Sequence, residues 1–335
     1  MPKPTPKPTP KPTPKPTHCP DAAAKRVEAV VIGRNEGGRL RACLASLALQ
    51  VDRVIYVDSG STDGSAALAR DMGAAVIGLD MTFPFTAARA RNAGLAAVRA
   101  EFVQFVDGDC TVQPDWVTAA LAFAAQHPDA TVICGRRRER FPEASVYNRL
   151  CDSEWNTPIG PARACGGDAL MRVAAVRAVG GYDSSLIAGE EPELCLRLAR
   201  KGGEIWRIDA EMTLHDAAMT RFAQWWRRSR RAGHAFAEGA ALHGAGPERH
   251  WRAEARRAVF WGAGVPAAAL VLGGLHPLGF AVLLAWPAQV LRLIPRLGPE
   301  RAFFTVLGKL PEAQGVFGYW WGRLRRKRKP LIEYK

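Results

Sequence analysis

Two aspartates, Asp107 and Asp109, are separated by a single glycine and follow the apolar stretch Phe102–Val106. Carboxylate oxygens are the ligands that hard divalent cations such as Mg²⁺ and Mn²⁺ prefer, and these cations keep open positions for phosphate oxygens. A bound cation also neutralises the charge of a departing diphosphate. The pair is therefore predicted to hold Mg²⁺ or Mn²⁺, and an ordinary Asp-Gly-Asp surface turn is the alternative.

Strand-like and helical patterns alternate through the first third of the chain. The strand-like stretches are Val27–Ile32, Val54–Val57, Ala74–Ile77 and Phe102–Val106, and they are almost wholly apolar. Strands of this kind are typical of a parallel sheet that helices cover on both faces. Such sheets bind ligands outside the carboxyl ends of their strands. The predicted fold class is therefore α/β, and Asp107 lies where this fold places its ligand.

Positive charge is concentrated partly at the two ends of the chain. Lysine and arginine number 46 against 32 acidic residues, which gives a formal net charge of +14. Four copies of Pro-Lys-Pro-Thr fill residues 2–17, and a basic run spans residues 323–329. Proline at every second position excludes a helix, so residues 1–24 are predicted to be a disordered tail, without the apolar core of a signal peptide. Basic ends indicate an anionic lipid surface or nucleic acid as partner.

The cysteines and the C-terminal third indicate where the protein resides. Seven cysteines without a Cys-x-x-Cys pair favour a reducing cytoplasm over a disulfide scaffold or a zinc site. Residues 258–291 contain no charged side chain, and the apolar runs Ala258–Leu275 and Leu278–Leu291 flank His276-Pro277. Eighteen helical residues span about 27 Å, close to the hydrocarbon core of a bilayer. The pattern predicts a membrane hairpin; a re-entrant hairpin and a buried soluble pair are the alternatives.

Five stretches occur in an order that resembles the family-2 nucleotide-sugar glycosyltransferases, in particular the membrane-associated bacterial type. They read VVIGRNEGGRLRACLASL, VIYVDSGSTDGS, ARARNAGL, FVQFVDGDC and GGYDSSLIAGEEPELCLRL, and the resemblance covers residues 27–235. It implies a GT-A fold, a Rossmann-like and mostly parallel sheet with helices on both faces. The implied domain spans residues 25–240, with a nucleotide-sugar half at 25–113 and an acceptor half at 114–240. A membrane-associated helical region at 241–335 follows.

The resemblance also implies a set of residues that bind the donor. Carboxylates and amides are suited to this role because they accept hydrogen bonds from a base or a ribose. The nucleotide-binding set is Asn35, Glu36, Asp58, Asp63, Arg89, Arg91 and Asp107. The alternatives are helix N-caps for Asp58 and Asp63 and a solvated helix face for the two arginines.

Further resemblance concerns the metal and the acceptor. In some relatives a histidine at the position of His215 adds a metal or phosphate contact, although a structural hydrogen bond is the alternative. Gly166, Gly167 and Asp168 resemble a glycine-rich acceptor loop in which the family often has an amide at the third position. Gln224 and Arg227 match part of the Gln-x-x-Arg-Trp signature of processive members. Arg228 stands where that signature has tryptophan, which argues against processive synthesis.

The general base is implied at an acidic pair that opens a helix. The family usually has Glu-Asp where this chain has Glu190-Glu191, and the second acid takes the proton of the acceptor hydroxyl. Glu191 is therefore the predicted base and Glu190 its rival, with capping of the helix as the alternative role.

The expected function is inverting transfer of a sugar from a nucleotide diphosphate sugar, with UDP as the expected nucleotide, to a hydroxyl. The acceptor would be a saccharide, in particular a lipid-linked one in exopolysaccharide or cell-envelope assembly. The enzyme would work at the cytoplasmic face of the inner membrane, held there by the hairpin and the basic tail, with no nucleic acid as partner. A nucleotidyltransferase and a non-catalytic membrane adaptor are the alternatives.

Overall fold

Residues 27–325 are described by the computed structural model; the predicted tail at residues 1–24 and the end of the basic run lie outside them. Within this range the strands are β1 Val27–Gly33, β2 Arg53–Asp58, β3 Ala75–Gly78, β4 Phe102–Asp107, β5 Cys110–Val112, β6 Ala130–Glu139, β7 Gly160–Pro161, β8 Ala169–Arg172 and β9 Glu204–His215. The helices are α1 Gly38–Leu47, α2 Ser65–Asp71, α3 Ala87–Ala97, α4 Trp116–Gln126, α5 Val146–Trp155, α6 Val173–Ala178, α7 Glu190–Arg200, α8 Phe222–His243, α9 Arg252–Val259, α10 Val265–Leu275, α11 Ala285–Leu297, α12 Pro299–Leu307 and α13 Lys309–Leu324.

The strands form one sheet whose two halves differ in direction. Their order is β3-β2-β1-β4-β8-β6-β9-β5, and β7 pairs with β9. β1 is parallel to β2 and β4, and β2 is parallel to β3. β8 is antiparallel to β4 and β6, and β5 and β7 are antiparallel to β9. β6 is parallel to β9. The sheet is therefore mixed: the half formed by β3, β2, β1 and β4 is wholly parallel, whereas the other half combines the parallel β6–β9 pair with antiparallel neighbours.

The core of the parallel half fixes the strand ends relative to one another. Val30, Val31 and Phe105 are fully buried, as strands covered on both faces require. Burying each such side chain contributes about 1.5–3 kcal/mol. Helix α3 packs against β1 and β2, and a Cβ on its Gly94 would lie 2.3 Å from Val30 Cγ1. This close contact holds α3, which carries Arg91, at a set height above the sheet.

Helix α8 joins the sheet domain to the C-terminal helices. Helix α13 packs along it so closely that a Cβ on Gly233 would lie 2.0 Å from the Glu312 carbonyl oxygen. A Cβ on Gly315 would likewise lie 2.1 Å from the Arg230 carbonyl oxygen. Only glycine permits this approach of two backbones. The predicted domain boundary at residue 240 falls inside α8, so this helix belongs to both parts.

Two helical stretches of the C-terminal region have the length and apolar composition of membrane spans. They run over Arg252–Leu275 and Pro277–Leu297, and a π turn at Phe260–Gly264 lies within the first. A 3₁₀ segment, Pro277–Leu284, opens the second. In their most apolar windows 17% and 0% of the residues are buried. A buried soluble helical pair therefore does not describe them, because their apolar side chains face outward.

Candidate active site

The carboxyl ends of β1, β2 and β4 meet at one edge of the sheet. In the strand register Gly33 lies opposite Asp58, and Ile32 lies opposite Asp107. The loops that follow these strands border a cleft of about 410 Å³. Its lining includes Asn35, Glu36, Asp107, Asp109, His215 and Arg231. The structure thus brings five residues of the predicted site together and adds Arg231.

Asp107 is held between two arginines. Arg91 Nη2 lies 2.8 Å from Asp107 Oδ1, and Arg137 Nη2 lies 3.2 Å from Asp107 Oδ2. Burial alone would lower the pKa of Arg91, but Asp107 and Glu190 among its neighbours raise it above the ordinary value. Arg91 therefore stays charged inside the protein and fixes the orientation of the Asp107 carboxylate at the cleft.

Asp109 is paired with the predicted histidine. Asp109 Oδ1 lies 3.3 Å from His215 Nε2, and the histidine ring lies edge-on to Trp155. Burial, followed by the nearby Arg137 guanidinium, lowers the pKa of His215 to about 4. The imidazole is therefore neutral at neutral pH, the state in which it can donate a lone pair to a metal.

The donor atoms at the cleft fit a divalent cation. Ligand atoms of Asp109, Cys110 and His215 lie within 4.8 Å of one another. His215 Nδ1 is buried and has no hydrogen-bond partner among the described residues. Carboxylate oxygen and imidazole nitrogen suit Mn²⁺, and Mg²⁺ accepts the carboxylates. With Asp107 at the open side of the same cleft, these residues are suited to the predicted metal.

Asp168 does not face an acceptor, which corrects the expectation from the glycine-rich loop. Its carboxylate is fully buried. Oδ1 accepts a hydrogen bond from the Asp107 amide at 3.0 Å, and Oδ2 accepts from Arg137 Nη2 at 2.8 Å and Thr213 Oγ1 at 2.9 Å. Asp168, which stands where the family often has an amide, is thus paired with Arg137. It also fixes the Asp107 backbone by accepting the hydrogen bond of its amide.

The two glycines of the same loop have the geometry that the sequence suggested. Gly166 and Gly167 have φ angles of +82° and +91°, a region that favours glycine. A Cβ on Gly167 would lie 3.4 Å from Arg91 Nη2 and 3.5 Å from Asp107 Oδ2. The loop therefore passes directly over the Asp107 network, and its backbone forms part of the site.

The loop after β1 is tied to the loop after β2. Asn35 has a φ of +57°, its amide donates to Ser61 Oγ at 2.9 Å, and its side-chain oxygen accepts from the Thr62 amide at 2.7 Å. Glu36 forms an ion pair of 2.8 Å with Arg39 at the cleft. Asn35 therefore shapes the border of the cleft through backbone contacts, and Glu36 lines it directly.

Asp58 and Asp63 form hydrogen bonds to residues close to them in sequence. Asp58 Oδ2 accepts from the Gly60 and Ser61 amides at 3.1 and 3.0 Å, and Oδ1 accepts from the Tyr56 hydroxyl. Asp63 accepts from the Ser65 amide at 3.0 Å, and the hydrogen bonds from Ser65 lower the pKa of Asp63. The N-cap of α2 is Gly64 and has no side-chain cap, so these bonds order the loop after β2 and do not cap the helix.

Arg89 is directed away from the cleft that holds the aspartates. Its guanidinium donates to the carbonyl oxygens of Asp80, Phe83 and Pro84 at 2.7–3.0 Å. Arg89 therefore organises the loop before α3 instead of reaching the predicted diphosphate position. Arg91, two residues later, faces the site because the helix turns by about 200° between them.

The acidic pair at the start of α7 is split between two environments. Glu190 Oε1 accepts from Arg91 Nη1 at 2.8 Å and thereby joins the Asp107 network. Glu191 is buried, and its Oε1 accepts from the Cys165 amide at 2.5 Å and from Cys195 Sγ at 3.1 Å. Both contacts of Glu191 use Oε1, which leaves Oε2 as the oxygen for a proton. The structure therefore places both candidates for the base next to the acceptor loop or the aspartates.

Gln224 and Arg227 are not among the residues that line the cleft, and their role at the acceptor stays a prediction. Gln224 Oε1 accepts from the Thr220 and Arg221 amides at 3.0 and 2.9 Å, which closes a capping box at the start of α8. Arg227 is exposed and donates back to the Ala223 carbonyl oxygen. Arg231 is the arginine of this helix that lines the cleft.

Arg137, like Arg231, belongs to this site and was missed by the sequence prediction. It bridges Asp107 and Asp168 from the end of β6. Its neighbour Arg138 points outward and pairs with Glu211 at 3.0 Å, whereas Glu139, two residues along, is buried. Alternation of inward and outward side chains in the run Arg136–Arg140 could have revealed this, if the strand had been extended past Gly135.

The fold and the site together define a class of protein, a GT-A fold with an aspartate pair at the carboxyl ends of parallel strands. The solved mannosyltransferase PcManGT from Pyrobaculum calidifontis, in complex with GDP-Man and Mn²⁺, has the same fold. It superposes with a TM-score of 0.61 at 21% identity over 89% of this chain and 88% of that one. Residues 29–168 match the family model Glycosyl transferase family 2, the family that the sequence motifs resemble. The predicted fold is confirmed.

Two further proteins are similar to this chain over part of their length. A pre-mycofactocin glycosyltransferase of Mycobacterium tuberculosis is 29% identical over 203 residues, which cover 57% of this chain and 42% of that protein. The succinoglycan biosynthesis protein ExoA of Rhizobium meliloti is 30% identical over 174 residues, which cover 47% of this chain and 52% of that protein. The chain thus matches about half the length of these relatives.

Proposed function

We propose that the protein is a metal-dependent inverting glycosyltransferase that moves a sugar from a nucleoside diphosphate sugar to a hydroxyl acceptor. The observation that supports it most strongly is the position of Asp107, Asp109 and His215 on one cleft at the carboxyl ends of β1 and β4. The names of both curated relatives and the GDP-Man complex of the fold neighbour agree with this reaction class.

The donor would bind with its diphosphate at the metal site. Asp107, Asp109 and His215 would hold Mn²⁺ or Mg²⁺, and the cation supplies charge neutralisation for the departing diphosphate. Arg231 approaches the cleft from α8 and adds a positive charge on the opposite side. The loops ordered by Asn35 and Asp58 would receive the nucleoside, and UDP is the proposed nucleotide.

The acceptor would be deprotonated by the acidic pair at the start of α7. As the acceptor oxygen bonds to the sugar carbon, its proton passes to a carboxylate and the bond to the diphosphate oxygen breaks on the opposite face, which inverts the configuration. We assign this role to Glu191, whose Oε1 is fixed by the Cys165 amide and whose Oε2 is left for the proton. Glu190 is the rival, because Arg91 links it to Asp107.

The C-terminal helices would hold the enzyme on a membrane. The stretches Arg252–Leu275 and Pro277–Leu297 expose apolar side chains, among them Leu270, Leu275 and Leu284. Basic residues at the outer ends of the two stretches, Arg256 and Arg257 in the first and Arg292 and Arg296 in the second, would favour the cytoplasmic face. A lipid-linked saccharide is the acceptor that suits an enzyme in this position, and ExoA is named for the synthesis of a polysaccharide. The intact acidic cleft gives no support to a non-catalytic adaptor.

A donor screen tests the proposed function. The full chain in detergent is heated with Mn²⁺ and one nucleotide or nucleotide sugar at a time, and the melting temperature is recorded. A ligand at 100 times its Kd should stabilise the protein by about 2.7 kcal/mol. We expect stabilisation by a UDP sugar in the presence of Mn²⁺ but not of chelator. Stabilisation by nucleoside triphosphates alone would favour the nucleotidyltransferase instead.

A further inference from the structure

A second group of metal-ligating side chains lies behind the acceptor loop. Cys165 precedes Gly166, and Cys195 follows Glu191 by one turn of α7. The two sulfur atoms are 3.9 Å apart, and Cys195 Sγ lies 3.1 Å from Glu191 Oε1. All three side chains are buried, and their ligand atoms lie within 4.8 Å of one another. The cysteines are 30 positions apart, so the search for Cys-x-x-Cys pairs could not find them.

The distances between these atoms match those of a tetrahedral zinc site. With Zn–S bonds of about 2.3 Å and Zn–O bonds of about 2.0 Å, tetrahedral ligands lie about 3.8 Å apart for two sulfurs and about 3.5 Å apart for sulfur and oxygen. The observed 3.9 Å between the sulfurs agrees with the first value. The observed 3.1 Å from Cys195 Sγ to Glu191 Oε1 is shorter than the second value, so these two atoms must move apart by a few tenths of an ångström when a cation binds.

The chemistry of this group differs from that of the aspartate cleft. Two thiolates favour a soft or borderline cation such as Zn²⁺, whereas the carboxylates of Asp107 and Asp109 favour Mn²⁺ or Mg²⁺.

We propose that Cys165, Cys195 and Glu191 form a site for a thiophilic divalent cation of the zinc type, separate from the Asp107–Asp109 site. Access is by way of the loop at Gly166 and Gly167, whose left-handed backbone lies next to Cys165. A cation bound at this site uses the Glu191 carboxylate as a ligand. Inhibition of sugar transfer would follow, and this part alone rests on the proposed role of Glu191 as the base.

Cobalt spectroscopy tests the site without using activity. Co²⁺ is added to the full chain in detergent with a non-thiol reductant, and the sulfur-to-cobalt charge-transfer absorption in the near ultraviolet is recorded. We expect one equivalent of Co²⁺ to give the band in the wild type, and Zn²⁺ to remove it. Cys151→Ser is the matched control, because Cys151 is buried in a different cluster and should leave the band unchanged.

Two variants show whether the cobalt band arises at the Cys165–Cys195–Glu191 group or at the aspartate cleft. The double variant Cys165→Ser/Cys195→Ser should lose the band, whereas Cys110→Ser, which alters the aspartate cleft, should keep it. A folded wild type that gives no band, or a band that disappears with Cys110→Ser, would overturn the proposal. Should the double variant fail to fold, as judged by its melting curve, the single variant Cys195→Ser replaces it and should weaken Co²⁺ binding by at least about tenfold.

A zinc titration of sugar transfer at saturating Mn²⁺ then tests the inhibition. Zinc should inhibit the wild type and Cys151→Ser equally, and Cys195→Ser should require at least about ten times more zinc. Equal inhibition of Cys195→Ser would place the inhibitory zinc in the aspartate cleft. A cobalt band without zinc inhibition would leave the metal site in place and refute the role of Glu191 alone.

Discussion

The two halves of the sheet place their functional side chains in different ways. In the parallel half, Asp107 and the loops of Asn35 and Asp58 stand at the ends of consecutive strands, and the strand register alone brings them together. In the mixed half, Asp168 and Glu190 reach the site only through partners 61 and 99 residues away in sequence. Local patterns are therefore informative about the donor side and much less so about the acceptor side.

The largest difference between the halves is expected at the acidic pair of α7. Glu191→Gln keeps the shape of the side chain and removes the proton acceptor, so kcat should fall by about 10²–10⁴, or roughly 3–5 kcal/mol. The affinity for the nucleotide sugar should be unchanged, because the donor is proposed to bind to the parallel half. Steady-state kinetics and donor titration measure the two effects separately.

Glu190→Gln serves as the comparison. It loses an ion pair with Arg91 and should lower kcat less than Glu191→Gln does. If Glu190→Gln is the inactive variant and Glu191→Gln turns over normally, the base is Glu190, which Arg91 already joins to Asp107.

The next effect concerns the buried pair that connects the halves. Arg137→Met leaves the fully buried Asp168 without its cation, and such a loss costs about 3–5 kcal/mol. The double variant Arg137→Met/Asp168→Asn removes the charge as well and should recover much of this free energy of unfolding. Chemical denaturation measures both variants. A double variant as unstable as the single one would show that Arg137 acts by packing and not by charge.

The smallest effects are expected for substitutions of two side chains of α8, Arg231 and Gln224. Arg231→Ala should raise KM for the donor by about tenfold, since a charged hydrogen bond is worth about 1.5–3 kcal/mol, and should leave the melting temperature unchanged. Gln224→Ala should cost about 0.5–1.5 kcal/mol of stability through the lost capping bonds and leave the KM for donor and acceptor unchanged. A raised KM for the acceptor in Gln224→Ala, without loss of stability, would place Gln224 in the acceptor set.

The sequence predicts the α/β class and the aspartate cleft because both depend on apolar strands and the residues directly after them. It does not reveal that the polar side chains of Asp168, Gln224 and Arg89 form hydrogen bonds to backbone groups, nor that Asp168 pairs with a buried arginine. A motif shows which residue types are present but not whether a side chain faces the cleft. The reversal of β8 has the same origin, because strand direction depends on the path of the chain between strands.

The central claim is that Asp107 and Asp109 form a metal-dependent site for sugar transfer, and release of UDP measures it most directly. Purified full chain is assayed with the stabilising UDP sugar and a saccharide acceptor, with Mn²⁺ or with excess chelator. Asp109→Asn is compared with Asp209→Asn, which changes an exposed aspartate on β9. The account predicts no activity with chelator, a loss of at least about 10³-fold for Asp109→Asn from several kcal/mol of lost charge stabilisation, and normal activity for Asp209→Asn. Undiminished transfer in chelator, or by Asp109→Asn, would contradict it.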